Sequence, residues 1–341
     1  MPKTRKIIQE PTGRQKIAVV GMMPGKDELA AGKPFVGYEG KYLRRLMKRA
    51  GIDMSVLPVT NAAHERGAYD KWENLSQDAK KFGQEELLKD LERWKAAGVN
   101  LVIALGAPAL KATTGAEGIL KYRGTCLPCL VDGLKVLPSI HPGHIVKGNP
   151  RYEPVLTLDL RKAVREKDSP EIHYPFRDIT IIDSPEEAIQ IAELCTNSRT
   201  PIVVDIETNY PHTQEMTAYG IATSKRQAYV FTRELMRNPD VLRAIGRMAS
   251  SKTLKIFHNA LFDAFHGAYY YKICYRNIYC TLIAQHDCYP LWPKSLAFCA
   301  SVWTNEPYWK DDSETALSTP GKVDWDMFYR YCGKDLSLIH I

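Results

Sequence analysis

The chain has no apolar run long enough to span a bilayer, no secretory leader pattern at its start, no internal repeat and no low-complexity tract. Its eight cysteines are scattered apart from Cys126 and Cys129, so no extracellular disulfide framework is expected and reduced thiols are the default. These absences lead to the expectation of an intracellular, cytoplasmic protein without a membrane partner. Charge is present but unevenly spread: within a formal total of +7, residues 1–170 carry roughly +10 and the remainder roughly −3. That asymmetry reads either as a nucleic-acid-facing first half or as a solvated basic surface. A length of 341 residues is more than twice that of an ordinary domain, so about two domains are expected.

The charged, proline-containing and aperiodic stretch REKDSPEIHYPFRD, Arg165–Asp178, divides the chain. Before it, the strands KIAVVGM, VLPVTNA, NLVIALG and LKVLPSIHP alternate with the helices KYLRRLMKRAG and EELLKDLERWKAAG. That order predicts an α/β domain with a parallel-rich sheet. After it, DITIID, the helix PEEAIQIAELC and PIVVDIE start a second α/β unit, with AYGIATS and QAYVFT as an antiparallel pair. The expected division is an N-terminal arm over 1–15, a first domain over 16–165, a linker over 166–177 and a second domain over 178–335.

The stretch VVDIETNY, Val203–Tyr210, places Asp205 and Glu207 on one face of a strand, since side chains alternate with period two. Two carboxylates that close repel, so a cation is expected between them. In HNALFDAF, Asn259 and Asp263 share one face of a helix that follows the strand LKIFH, and in YCGKD, Tyr331 and Asp335 lie one helical turn apart. Each motif taken singly reads equally as a polar surface cluster.

In this order the three motifs resemble those of the DnaQ-like 3'-5' exonucleases in their tyrosine-containing (DEDDy) form, found in bacterial and phage family A DNA polymerases. The segment YCTLIAQHDCYPLWPKSLAFCASVWTNEPYWKDD resembles the phage-type text between the second and third motifs. The resemblance covers about residues 178–335 and implies a ribonuclease H-like fold. It also implies a pair of Mg2+ or Mn2+ ions about 4 Å apart, held by carboxylate oxygens. Asp205, Glu207 and Asp335 would hold the ion that binds the attacking water, and Asp205 with Asp263 the ion near the leaving group. The resemblance further implies that Tyr331 orients that water with Glu207, and that Thr208 and Asn259 contact the terminal nucleotide. His258 and His266 read as packing or surface residues.

The first domain carries GMMPGKDELAAGKPFVGYEGKYLRRLMKRAGI, VTNAAHERG, LGAPALKATTG and VLPSIHPGHIVKGNP. Together these resemble the uracil-DNA glycosylase superfamily, its family 4 above all, over about residues 16–165. The resemblance implies that Phe35 stacks on a flipped base, that Asn61 reads its Watson–Crick edge, and that His141 donates to the oxyanion developing on the departing base. Two departures bear on function. Met22 and Met23 stand between Gly21 and Pro24 where the family pattern carries a polar group that assists water, with Glu28 further along. The family's iron–sulfur cluster needs four thiolates, yet the N-terminal arm has none and His64 stands near an expected ligand position. No iron–sulfur cluster is therefore expected, and Cys126 and Cys129 read as a turn rather than a metal knuckle. Lys41, Arg44, Arg45, Lys48 and Arg49 share one helix and are candidates for backbone phosphates.

A glycosylase-like domain before a proofreading-type exonuclease resembles the front of certain phage family A polymerases. The expected partners are then single-stranded DNA 3' ends, primer–template DNA and a polymerase domain following residue 335, in the host cytoplasm if the source is viral. The final LSLIHI, residues 336–341, is expected to be a non-native tail, because one reading frame of an adapter used in transposon-based sequencing libraries encodes it. Three readings remain open: a 3'-5' exonuclease whose first domain binds DNA, a DNA-binding module without nuclease activity, and an active uracil-DNA glycosylase.

Overall fold

The computed structural model describes residues 6–208, 214–317 and 323–341. Two compact units are present: Met1–Tyr174 with Ser301–Tyr308, and Pro175–Ala300 with Trp309–Ile341. Among the described residues no helix is long and apolar enough to cross a membrane.

The first unit is built on five strands, β1 (Ile17–Gly21), β2 (Val59–Asn61), β3 (Leu101–Leu105), β4 (Leu127–Pro128) and β5 (Lys135–Ser139), in the order β2-β1-β3-β5-β4. Every pairing is parallel except β4 against β5. The sequences IAVVG and LVIAL are buried at every position, as expected of strands covered on both faces. Helix Gln77–Ala96 starts on Ser76, whose side chain accepts from Ala79 N at 3.1 Å, and buries Leu87, Leu91 and Trp94 against the sheet. Helix Tyr38–Arg49 buries Leu43, Leu46 and Met47 at helical spacing, leaving Lys41, Arg45, Lys48 and Arg49 exposed and Arg44 half-buried. Gly21 and Asn61 end their strands side by side, at the carboxyl edge where open α/β sheets hold ligands.

The expected contiguous second domain over 178–335 is interrupted, because Ser301–Tyr308 groups with the first unit. Buried Lys162 donates from Nζ to the carbonyls of Gly124, Ser301 and Thr304, each at 2.6 Å. Arg123, paired with Asp159, donates to Ser301 Oγ at 2.8 Å. The carbonyls match all three protons of an ammonium, which explains why the helix end at Ser301 and the chain that follows it are held there.

The second unit has six strands, β6 (Asp178–Ile182), β7 (Ile202–Thr208), β8 (Met216–Ala222), β9 (Gln227–Thr232), β10 (Lys255–Phe257) and β11 (Ile278–Cys280), in the order β11-β10-β7-β8-β9-β6. The expected antiparallel pair β8–β9 is present, β7–β8 is antiparallel too, and the outer pairings are parallel. Alternation along β7 decides the layers. Ile202, Val204 and Ile206 pack with residues of helices Pro185–Thr196 and Pro239–Ser250, whereas Val203 packs with Cys332 and Leu336 of the terminal helix, Trp325–His340. Asp205 and Glu207 continue the Val203 face, so they point toward the terminal helix.

That helix lies close to the sheet: a Cβ on Gly220, directly opposite Asp205, would sit 2.4 Å from Leu336 Cδ1 and 3.0 Å from Cys332 Sγ. The helix runs on through the expected tail without a break. Leu336, Leu338 and Ile339 are buried, and Ser337 donates to the Lys225 carbonyl at 2.6 Å.

Candidate active site

Three elements distant in sequence, β7 among them, bring their polar side chains to one place. Asp205 and Glu207 come from the strand, half-buried, just before a register shift between Glu207 and Thr208. Asp263 comes from helix Ala260–Tyr271, which starts after Asn259 in the left-handed region at φ 71°, a conformation asparagine adopts more readily than most residues. Asp263 is 2% exposed and accepts the backbone N–H of Ile206 at 3.0 Å, which ties the helix to the strand between the two strand carboxylates. Tyr331 and Asp335 come from the terminal helix, whose first turn is capped by Asp324 accepting from Met327 N at 3.1 Å.

Trp309 and Lys310 complete the site. Trp309 Nε1 donates to Asp335 Oδ1 at 2.6 Å, and Lys310 Nζ donates to Tyr331 OH at 2.7 Å and to Asp335 Oδ2. Neither residue was singled out by the sequence, because EPYWKDD has no periodicity to assign it a face. Cys332 was also missed. Its buried Sγ and carboxylate oxygens of Asp205 and Glu207 all lie within 4.8 Å of one another.

The electrostatics follow from this crowding. Burial, then the nearby Asp263, Glu207 and Asp335, push the Asp205 carboxyl well above the usual range. Burial and Asp335 push Glu207 up to about 8, and burial pushes Asp263 up to about 7 despite the Ile206 N–H that favours its charge. Burial and the same carboxylates raise Tyr331, keeping it a neutral phenol. Burial acts against the Lys310 charge, but Asp335, Asp205 and Glu207 outweigh it and its pKa is raised. A cluster of oxygen donors that resists ionisation until positive charge arrives fits a hard divalent cation.

Thr208 ends β7 half-buried, and Asn259 is exposed at the start of the Asp263 helix, its carbonyl accepting from Phe262 N at 2.9 Å. His258 bonds Thr281 Oγ1 at 2.9 Å, and His266 stacks on Phe262 with ring centroids 6.0 Å apart. Tyr210 lies outside the described residues.

The first unit has its own cavity, about 360 Å³, at the carboxyl edge of its sheet, lined among others by Met22, Met23, Phe35, Asn61 and His141. Phe35 adopts a left-handed φ of 53°. A Cβ on Gly21 would lie 2.4 Å from Asn61 Oδ1 and 2.6 Å from the Phe35 ring, so only glycine leaves both side chains in place. Glu28 Oε1 accepts from Val36 N at 3.1 Å and Gly37 N at 2.9 Å, so this oxygen holds the Phe35 loop. His141 Nδ1 accepts from Gly143 N at 3.1 Å and burial lowers its pKa. The neutral ring therefore carries its proton on Nε2, the tautomer that can donate to an oxyanion.

The five basic residues of helix Tyr38–Arg49 separate into different environments. Arg44 donates to the carbonyls of Phe35 at 3.1 Å and Pro34 at 3.2 Å, clamping the loop from behind. Arg49 pairs with Glu153 at 3.0 Å, and Arg45 lies 5.2 Å from the Tyr42 ring centroid. Lys41 and Lys48 are exposed. Cys126 and Cys129 flank β4, and burial raises both thiols, Cys126 to about 11. They are the first unit's only cysteines, so its residues do not fit a four-thiolate cluster. His64 is buried beside Phe82.

Comparison with known proteins divides the chain in the same way. The sequence model of the uracil DNA glycosylase superfamily matches residues 9–161, and that of a 3'-5' exonuclease family matches residues 177–338. The type-4 uracil-DNA glycosylase of Thermotoga maritima is 27% identical over 164 residues, 47% of this chain and 82% of that protein. Its namesake from Saccharolobus solfataricus is 28% identical over 162 residues, 45% of this chain and 72% of that protein. Among solved structures, the catalytic core of RRP6 from Trypanosoma brucei aligns at TM-score 0.36 and 18% identity, covering 50% of this chain and 52% of that one. The Aedes aegypti Nibbler EXO domain aligns at TM-score 0.40 and 12% identity, covering 49% and 88%. The chain spans about half the length of the RRP6 core.

Proposed function

We propose, from a chain that carries a uracil-DNA glycosylase superfamily domain followed by a 3'-5' exonuclease domain, that its second unit removes nucleotides from DNA 3' ends by two-cation hydrolysis. In the full-length protein this would serve proofreading for an attached family A polymerase of phage type. The observation that carries the reading is the convergence of Asp205, Glu207, Asp263 and Asp335, with the neutral Tyr331 phenol, from three elements onto one site.

Asp205, Glu207 and Asp335 would hold one Mg2+ or Mn2+, and Asp205 with Asp263 the second. Bound there, the ions supply an activated water and neutralise charge on the scissile phosphate and departing 3' oxygen. Asp205 would serve both ions, so its loss is expected to remove more than either partner's. The Ile206 N–H fixes the Asp263 carboxylate, and the Trp309 indole fixes that of Asp335. Tyr331, held as a phenol, orients the attacking water together with Glu207, while Thr208 and Asn259 steady the terminal nucleotide.

For the first unit the favoured reading is DNA binding without excision, because the thioethers of Met22 and Met23 line the cavity and neither can accept a proton from water. Active uracil excision stays the second reading, since Phe35, Asn61 and an Nε2-protonated His141 line that same cavity.

A 5'-labelled single strand incubated with Mg2+ tests the main proposal. Stepwise shortening by the wild type, and none by the Asp205→Ala, Glu207→Ala variant, is expected; an uncut strand, or equal cutting by the variant, refutes it. Alkali-labile sites in uracil-containing DNA would establish excision.

A further inference from the structure

The carboxylate cluster already has one cation in reach, and it belongs to the protein. Lys310 Nζ touches Asp335 Oδ2 and lies 2.7 Å from Tyr331 OH. Its side chain is 27% exposed and that of Asp335 6%, so the ammonium approaches a buried carboxylate from the solvent side. Asp335 Oδ1 is already taken by the Trp309 indole at 2.6 Å. The Lys310 ammonium therefore binds the one Asp335 oxygen that the neighbouring tryptophan leaves open, and it does so beside Asp205 and Glu207, which also act on its charge. A divalent ion held by Asp335, Asp205 and Glu207 would compete with the ammonium for this oxygen, the one without the indole proton.

We propose that Lys310 is a tethered counter-ion that positions Asp335 and Tyr331 in the metal-free site and is exchanged for a divalent cation on loading. The inference rests on the two-cation reading above and adds to it a residue that this reading does not use. Three consequences follow from simple charge balance. Without metal, one positive charge within hydrogen-bond reach offsets part of the repulsion among the carboxylates, so the apo site stays assembled. With metal, two positive charges at the same oxygen exclude a third, so the ammonium must leave Asp335 Oδ2. The metal's apparent affinity is thereby weakened by the fraction of molecules in which Lys310 still occupies that oxygen.

The tether suits the exchange. Lys310 immediately precedes helix Asp311–Leu317 and has an unbranched side chain with a partly exposed end, so its head can swing into water without moving Trp309 or the terminal helix. Trp309 is 3% exposed and stays as the fixed partner of Asp335.

The test is a titration of the metal-free full-length chain with Mn2+, free ion being counted by electron paramagnetic resonance, for wild type, Lys310→Met, Lys310→Gln and Asp205→Asn. The proposal predicts that both Lys310 variants bind the tightest Mn2+ about tenfold more strongly than wild type. It also predicts that they melt at lower temperature without metal, and that Mn2+ closes most of that gap. A lysine that merely supported the fold would give weaker or unchanged Mn2+ binding, and either result overturns the proposal. The glutamine variant keeps a donor for Tyr331, so agreement between the two separates charge from packing. Binding by wild type and its loss in Asp205→Asn place the ion at the cluster; absence of Mn2+ binding in wild type and both Lys310 variants overturns this proposal and the two-cation reading together.

Discussion

Gly220→Ala tests how the sheet sets the geometry of the site. The glycine faces the terminal helix from β8, and the added methyl would lie 2.4 Å from Leu336 Cδ1 and 3.0 Å from Cys332 Sγ. Comfortable carbon–carbon contact is about 3.5–4.0 Å, so side chain or helix must give by roughly 1 Å. Leu336 and Cys332 are both 0% exposed, which leaves the leucine little space to rotate into. Tyr331 and Asp335 belong to the same two turns. Overpacking of this kind costs about 1–3 kcal/mol, and a displacement near 1 Å at reacting groups costs on the order of a hundredfold in rate. The assays are the urea midpoint of the full chain by far-ultraviolet circular dichroism and the rate of shortening of a 5'-labelled strand. Leu336→Ala removes the obstructing methyls, so the double variant should recover part of the rate lost in Gly220→Ala. A Gly220→Ala protein with wild-type midpoint and rate would refute the reasoning, as would a double variant as slow as the two losses multiplied.

Other predictions follow from the charges. Glu207 is held up to about 8 against an ordinary 4.5, so between those values the metal-free fold keeps a proton that the unfolded chain has released, and stability falls as pH rises through the window. Bound Mg2+ replaces that proton, so the rise in melting temperature on adding Mg2+ should be larger at pH 8 than at pH 6; equal shifts would contradict the account. Arg44→Ala should lower stability and loosen the Phe35 loop with little change in the salt dependence of DNA binding, because its guanidinium is spent on the Pro34 and Phe35 carbonyls. Lys41→Ala should do the reverse, reducing the slope of log affinity against log salt by about 1. Gly21→Ala should close the first unit's cavity by displacing Asn61 and the Phe35 ring, read as loss of any binding preference for uracil-containing DNA.

Much of this was legible in the sequence where a local period fixes a direction. Asp205 and Glu207 share a face because strands alternate, and Tyr331 and Asp335 share one because four residues make about a helical turn. The buried parallel strands IAVVG and LVIAL were readable as unbroken apolar runs. What escaped depends on contacts made at long range. Lys310 reaches Asp335 from an aperiodic segment 25 residues upstream, and nothing local directs it there. Arg44 sits on a helix face that reads as a phosphate stripe, yet the left-handed turn at Phe35 presents two carbonyls to it. Ser301–Tyr308 joins the first unit through the carbonyl ligands of Lys162, a pairing that no sequence spacing announces. Helix Pro239–Ser250 did carry a signal: Asn238 accepts from Asp240 N and Val241 N, and proline opens the first turn.

The central claim is that the carboxylate cluster beside β7 binds two catalytic cations, and anomalous diffraction from crystals soaked in Mn2+ tests it most directly. The account predicts two peaks about 4 Å apart, with Asp205 shared between them, Glu207 and Asp335 at one and Asp263 at the other. Crystals saturated with Mn2+ that show no peak at these carboxylates, or a single ion that leaves Asp263 unengaged, would contradict it.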